Sequence, residues 1–420
     1  MRASSRFGGE ALPIGAHIPM PGAPAWYRAN GREYLRAGAL LPYSASYAAS
    51  IDDFPGLRVF GNDAKSYTPA AGGGAYTAKY YRIGTNYVCV RGGSSSASYN
   101  AALSGSWTSC TTPQNVPSGR RQFSAANGTS YLVVSSSGLN TALKYTSDGI
   151  TFNNVGGTFT TFPADCAVAY GNANWVSASA LDGTTKIGYI ASANPSGAWT
   201  VAASANLSMT GVRAIAYGGS VFCAVGDSSS VTAGKIVTFA TPGGTWTDRT
   251  SGSGIAFQPS EAIYDVKYDG TAFVALTSLG RIITATDPTG AWTDRGILLD
   301  TATVDLVGVA AGAGKPYALE TDGAGTIVAS CSIPTPPSVS LNYISTDHGA
   351  TWAPMQVFFG KTGQTTNSSA PSGCSYTNGQ WIFNMTGDVA GLVNPGATLT
   401  TPDLIGWQTN SYFGEMVRIK

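Results

Sequence analysis

"RAIAYGGSVFCAV", residues 213–225, is an alternating run, a glycine pair and a second apolar run. That pattern reads as two antiparallel strands joined by a tight turn. The second half recurs as "GTNYVCV" at Tyr87, "GTSYLVV" at Tyr131, "NANWVSA" at Trp175, "GTAFVAL" at Phe273, "GKPYALE" at Tyr317 and "NGQWIFN" at Trp381. Together with Phe222 this makes a series of seven.

A second series lies between these hairpins. Glycine followed by an aromatic anchor recurs at Trp107, Phe152, Trp199, Trp246, Trp292, Trp352 and Trp407, with further alternating runs such as "KIVTFAT" and "RIITATD" before the anchors. Each unit therefore reads as four antiparallel strands in roughly 45 residues, within the range of propeller repeats. Sheets of this kind bury both faces by stacking around an axis, and the ring leaves no long free edge. The expectation is an all-β fold, a seven-bladed β-propeller of four-stranded antiparallel blades over 79–420. A small irregular N-terminal attachment segment (1–50) and a joint (51–78) precede it.

Composition suits short strands and tight turns: 53 glycines, 11% charged residues and a net charge of +1. Such a balance gives no electrostatic footprint for nucleic acid, and no apolar run is long enough for a membrane span or a signal peptide. Six cysteines stand far apart without a CxxC pattern, so they read as buried free thiols, with no metal site and no cofactor.

"STDHGATW", residues 345–352, falls between the third and fourth strands of its unit, as "TSDGITF" (146–152) does in another. Other units fill the place with "PSGAW", "PGGTW" and "PTGAW", read as carrying no acid. The stretch resembles the Asp-box of sialidases and other propellers, which implies a folding role for Ser345, Asp347, Gly349 and Trp352, and for Asp148, Gly149 and Phe152. Asp347 is expected to tie down backbone amides and Trp352 to pack between sheets, with His348 solvated at a free position.

A sialidase would need three clamping arginines. "YRIG" at 81–84 offers Arg82 as an echo of the first, but Arg249 and Arg295 both sit in a "WTDR" repeat. Only five glutamates and two histidines are present, so triads are disfavoured, while a spatial carboxylate pair for a glycoside hydrolase stays open as an alternative. The expectation is no enzyme and no catalytic residue.

Residues 12–47 have a different texture: Gly15, Ile18, Pro19, Pro24, Trp26, Gly31 and Tyr34 follow in the order "G-x-I-P", "P-x-W", glycine, tyrosine. This resembles collar-type segments of bacteriophage tail-fibre and tail-tip proteins. The resemblance implies attachment to the virion, with Pro24, Trp26 and Tyr34 as attachment residues, other tail subunits as partners and a virion location after assembly in the host cytoplasm.

Insertions mark where a partner would bind, because loops on a rigid scaffold carry recognition. The longest lie around 334–337 and 353–373, on the face opposite the acidic turns. Phe358, Phe359, Lys361, Gln364 and Asn367 are the candidate receptor-binding residues for a host glycan or surface protein. The reading is a phage tail protein that recognises the host surface, with a homo-oligomer left open; a structural adaptor or decoration protein and a sialidase-like hydrolase are the alternatives.

Overall fold

Three hairpins turn on two residues of positive φ: Asn172 and Ala173 (49° and 55°), Gly219 and Ser220 (53° and 68°), and Asn378 and Gly379 (52° and 72°). That twist matches the right-handed twist of the strands it joins, so each turn sets the register of its hairpin. The computed structural model describes residues 17–19, 26–29, 32–36, 78–91, 97–102, 107–111, 122–135, 143–156, 166–181, 184–203, 209–228, 233–298, 315–333, 339–355, 370–386, 398–401 and 415–418.

Three short strands come first: β1 (His17–Pro19), β2 (Trp26–Ala29) and β3 (Arg32–Arg36). Blade 1 holds β4 (Ala78–Ile83), β5 (Asn86–Arg91), β6 (Ser98–Asn100) and β7 (Thr108–Ser109). Blade 2 holds β8 (Ser124–Asn127), β9 (Tyr131–Ser135), β10 (Leu143–Thr146) and β11 (Asn153–Asn154). Blade 3 holds β12 (Ala167–Gly171), β13 (Asn174–Leu181), β14 (Thr184–Ile190) and β15 (Thr200–Ala203). Blade 4 holds β16 (Met209–Gly218), β17 (Val221–Ser228), β18 (Gly234–Phe239) and β19 (Thr247–Asp248). Blade 5 holds β20 (Ile263–Tyr268), β21 (Phe273–Thr277), β22 (Arg281–Ala285) and β23 (Thr293–Ile297). Blade 6 holds β24 (Lys315–Thr321), β25 (Ile327–Ile333), β26 (Val339–Ser345) and β27 (Ala353–Met355). A three-stranded sheet of β28 (Ala370–Thr377), β29 (Gln380–Thr386) and β30 (Thr398–Thr401) follows, and β31 (Glu415–Arg418) comes last.

Every blade is an antiparallel meander in chain order. The first strands β4, β8, β12, β16, β20, β24 and β28 each pack on the sheet before, and β28 meets β4, so the ring closes. This is a β-propeller, with a correction to its count: the described residues form six four-stranded blades, not seven. The place expected for a seventh has the three-stranded sheet instead, because the outer "LIGWQT" stretch lies outside the described residues.

A second correction concerns the N-terminal segment. It is not irregular: β1, β31, β3 and β2 pair in that order as an antiparallel sheet, with Leu35 opposite Val417 and Val417 opposite His17. β3 is therefore paired along both edges, by β31 and by β2.

The core lies between the sheets. Clusters join blades 1 and 2, 2 and 3, 3 and 4, 4 and 5, and 5 and 6, and a smaller one sets Tyr80 and Trp107 of blade 1 against Ile382 of the three-stranded sheet. The anchors Trp107, Phe152, Trp199, Trp246 and Trp292 are all buried. Burying one such side chain is worth about 1.5–3 kcal/mol. In blade 4, Phe222 stacks on Phe239 (5.0 Å) and Phe239 on Trp246 (3.7 Å), an aromatic ladder from the second strand through the third to the start of the fourth.

Tyrosines from the first strands tilt against the second-strand aromatics at 4.7–5.0 Å: Tyr170 on Trp175, Tyr217 on Phe222, Tyr268 on Phe273 and Tyr376 on Trp381. Two of these rings also lie on a glycine of the preceding blade. A Cβ on Gly171 would sit 2.0 Å from Tyr217, and one on Gly218 would sit 2.1 Å from Tyr268. Glycine is required there so that adjacent first strands can approach.

Candidate functional site

In the turn between β26 and β27, Ser345 Oγ donates to Asp347 Oδ1 (2.8 Å) and accepts from the Gly349 amide (2.8 Å). Asp347 also accepts from the Thr351 amide (2.9 Å) and hydroxyl (2.6 Å), and Trp352 Nε1 donates to Gly349 O. Between β10 and β11, Thr146 takes the place of the serine, and Asp148 Oδ1 accepts from Thr146 Oγ1 and from the Ile150 and Thr151 amides (2.8 Å each). Burial would raise both carboxyls, but the hydrogen bonds they accept outweigh it and hold them below the usual range. These oxygens are committed to local amides and hydroxyls, so both acids fasten turns. The reading of no acid in the sister turns needs a correction at Asp287, which precedes "PTGAW" and accepts from the Thr289 amide and hydroxyl.

His348 is not merely solvated, contrary to expectation. Its Nδ1 donates to Oδ2 of Asp269 in blade 5 (2.9 Å), and its amide donates to Gly325 O. The ring lies so close over Gly325 that a Cβ there would be 2.8 Å from it. Asp269 follows Tyr268 as Gly218 follows Tyr217, so a carboxylate that pairs with the next blade stands where blade 4 has a ring-bearing glycine.

The three arginines weighed as a clamp do not converge. Arg82 of β4 lies over the Tyr87 ring (4.5 Å) and donates to Ala101 O. Arg249 and Arg295 repeat one another: each donates from Nε to a third-strand threonine, Thr238 at 3.0 Å and Thr284 at 2.9 Å. Their neighbours Asp248 and Asp294 pair with Lys235 and Arg281 of the same third strands.

Polar side chains cross the axis of the ring. Lys79 of blade 1 is buried and pairs with Glu320 of blade 6 at 2.7 Å, also donating to Cys374 O of β28. Burial alone would lower the Lys79 pKa, but Glu320 and Asp265 oppose it and the net direction is upward. Asp265 Oδ2 accepts from the Leu319 amide, Ser375 Oγ from the Tyr80 amide and Gln122 Oε1 from the Ile215 amide, so buried amides of first strands are satisfied by side chains from elsewhere in the ring.

On the face opposite the acidic turns, Phe358, Phe359, Lys361, Gln364, Asn367 and Pro334–Pro337 all lie outside the described residues. A described part of that face is the connection from β19 to β20. Its Ala256 carbonyl accepts from Arg281, and its Gln258 amide donates to Glu261 Oε2. Glu261, with no exposure, pairs with Arg281 at 3.1 Å. Beside it, Arg213 of β16 donates from Nε and Nη2 to Asp227 of β17 (2.7–3.0 Å) and lies 4.8 Å over the ring of Tyr264. Sequence reasoning missed this group; the available signal was Gly211 and Gly226, glycines inside two strands.

Of the attachment residues, Pro24 lies outside the described residues. Trp26 begins β2, opposite Leu35, and Tyr34 of β3 pairs with Tyr27 and Arg418. Among the described residues no group of three His, Cys, Asp or Glu is arranged to hold a metal, and no helix is long and apolar enough to cross a membrane. Cys110, Cys223 and Cys374 are free thiols, and burial first, then the nearby Cys89 and Asp148, pushes Cys110 up to about 12.

No protein-family model and no curated protein matches the sequence. Solved structures do. YCF48 bound to D1 peptide is 14% identical, with 81% of this chain and 97% of that one covered and a TM-score of 0.51. The Niastella koreensis GH74 enzyme is 13% identical, covering 82% of this chain and 55% of its own, at 0.51. A chain of the Mitotic Checkpoint Complex is 10% identical, covering 83% and 94%, at 0.51. At such identities the likeness shows the fold alone, an all-β propeller of four-stranded antiparallel blades.

Proposed function

We propose that this chain is a non-enzymatic bacteriophage tail protein in which the sheet of β1, β31, β3 and β2 attaches to the virion and the ring recognises the host surface. The observation that carries the reading is the pairing of β31 between β1 and β3, which draws the collar-like segment into a sheet separate from the blades. With the acidic turns used for fastening, the opposite face carries recognition, including the segment from Phe358 to Asn367. YCF48 holds a peptide on a related wheel, so a protein ligand is compatible with this build.

Mass spectrometry of purified virions tests the first half. This chain is expected among the tail proteins, and Trp26→Ala with Tyr34→Ala is expected to abolish its incorporation while the thermal melt of the ring is unchanged. Virions that contain no copy overturn the reading. Excess purified protein should block adsorption of intact virions; incorporation without any block leaves the adaptor or decoration role.

A further inference from the structure

Four unusual features meet at one end of blades 4 and 5. The pairing of β16 with β17 is irregular between Met209 and Gly211 and again between Val212 and Ala214, and the second irregularity contains Arg213. Bulges of this kind re-aim side chains and gather next to functional sites. Gly211 and Gly226 approach so closely that a Cβ on Gly226 would lie 1.7 Å from the Gly211 carbonyl, and the Asp227 carboxylate lies over Gly211. Ser260 has φ 67°, a costly conformation for a residue other than glycine or asparagine.

The fourth feature is the Glu261–Arg281 pair. Fully burying a carboxylate is expensive and gains little stability over an apolar pair, so its use here is positional. It pins the connection from β19 to β20 through Ala256 and Gln258, and that connection leads directly into Tyr264. Strain, bulge and buried charge thus all hold Arg213, Asp227 and Tyr264 in place.

From these features we infer that Arg213, Asp227 and Tyr264 form a binding site for a neutral carbohydrate, a reading that rests on the recognition role proposed for the ring. It does not select an anion, since Asp227 answers Arg213 while Glu261 and Asp294 both answer Arg281. What it offers is a guanidinium held by a carboxylate and lying over one face of an aromatic ring, with the other face of the ring for a sugar. Sugar hydroxyls both donate and accept, and the apolar face of a pyranose packs on an aromatic side chain. The Arg213 side chain is 35% exposed, which leaves it within reach of a ligand.

The test uses the full chain, titrated by calorimetry and saturation-transfer NMR with maltotriose, cellotriose and galactobiose, and with sialyllactose as the anionic comparator. At least one neutral sugar is expected to bind, and Arg213→Lys and Tyr264→Leu are each expected to weaken it about tenfold or more. Arg295→Lys, on an outer strand, should bind as the parent does. Thermal melts identify variants that fold. No binding by any neutral sugar, preference for sialyllactose, or undiminished binding by folded Arg213→Lys and Tyr264→Leu overturns the inference. Virion incorporation is read separately, so failure here is distinguishable from failure of the tail reading.

Discussion

Nδ1 of His348 lies 2.9 Å from Oδ2 of Asp269, a carboxylate with no solvent exposure on the neighbouring blade. The other oxygen of Asp269 accepts from the Thr271 and Ala272 amides, so removing the imidazole strips one of its partners. His348→Ala is expected to cost about 1–3 kcal/mol in urea unfolding, and Asp269→Ala more, because two backbone amides then lose their acceptor. A double-mutant cycle should return a favourable coupling between the two; zero coupling would show that the pair contributes nothing to blade docking.

Asp148 and Asp347 are both held below their ordinary value of 3.8 by the hydrogen bonds they accept. A depressed folded pKa contributes stability that is fully present above the unfolded value and is lost as pH falls through the folded one. Asp148→Asn and Asp347→Asn should therefore each cost about 1 kcal/mol near neutrality and nothing in strong acid, below both values. Denaturation at the two extremes of pH checks this.

Lys79 bridges blade 1 and blade 6 through Glu320, across the three-stranded sheet. Lys79→Met leaves a half-satisfied buried carboxylate and is expected to destabilise the ring by about 3–5 kcal/mol. Lys79→Met combined with Glu320→Gln should recover much of that. Because the lysine pKa is raised, its contribution is present below the ordinary 10.5 and fades only as pH rises through the higher folded value.

Gly218 and Gly219 are neighbours with different duties. Gly218→Ala drives a methyl into the Tyr268 ring and is expected to cost about 3 kcal/mol or more, whereas Gly219→Ala meets open space and bears only a positive φ, about 1–2 kcal/mol. Thermal melts that rank the two alike would remove the packing argument.

The hairpin and anchor series were legible in sequence because they are local: an alternating run, a glycine turn and an aromatic at fixed offset imply a blade wherever they occur. The Asp347 and Asp148 turns were legible for the same reason. Asp269, His348 and Gly325 were not, because their association depends on which residues face one another across two blades. Arg213, Asp227 and Tyr264 come together through an irregular register that no spacing rule announces. The strand β31 was equally hidden, since nothing in "EMVRIK" names β1 and β3 as partners some 380 residues earlier.

That strand has a temporal consequence. Since β31 lies between β1 and β3, the sheet remains incomplete until residues 415–418 have left the ribosome, after every blade has been translated. A prematurely terminated chain would hold a wheel beside a sheet that lacks the strand joining β1 to β3.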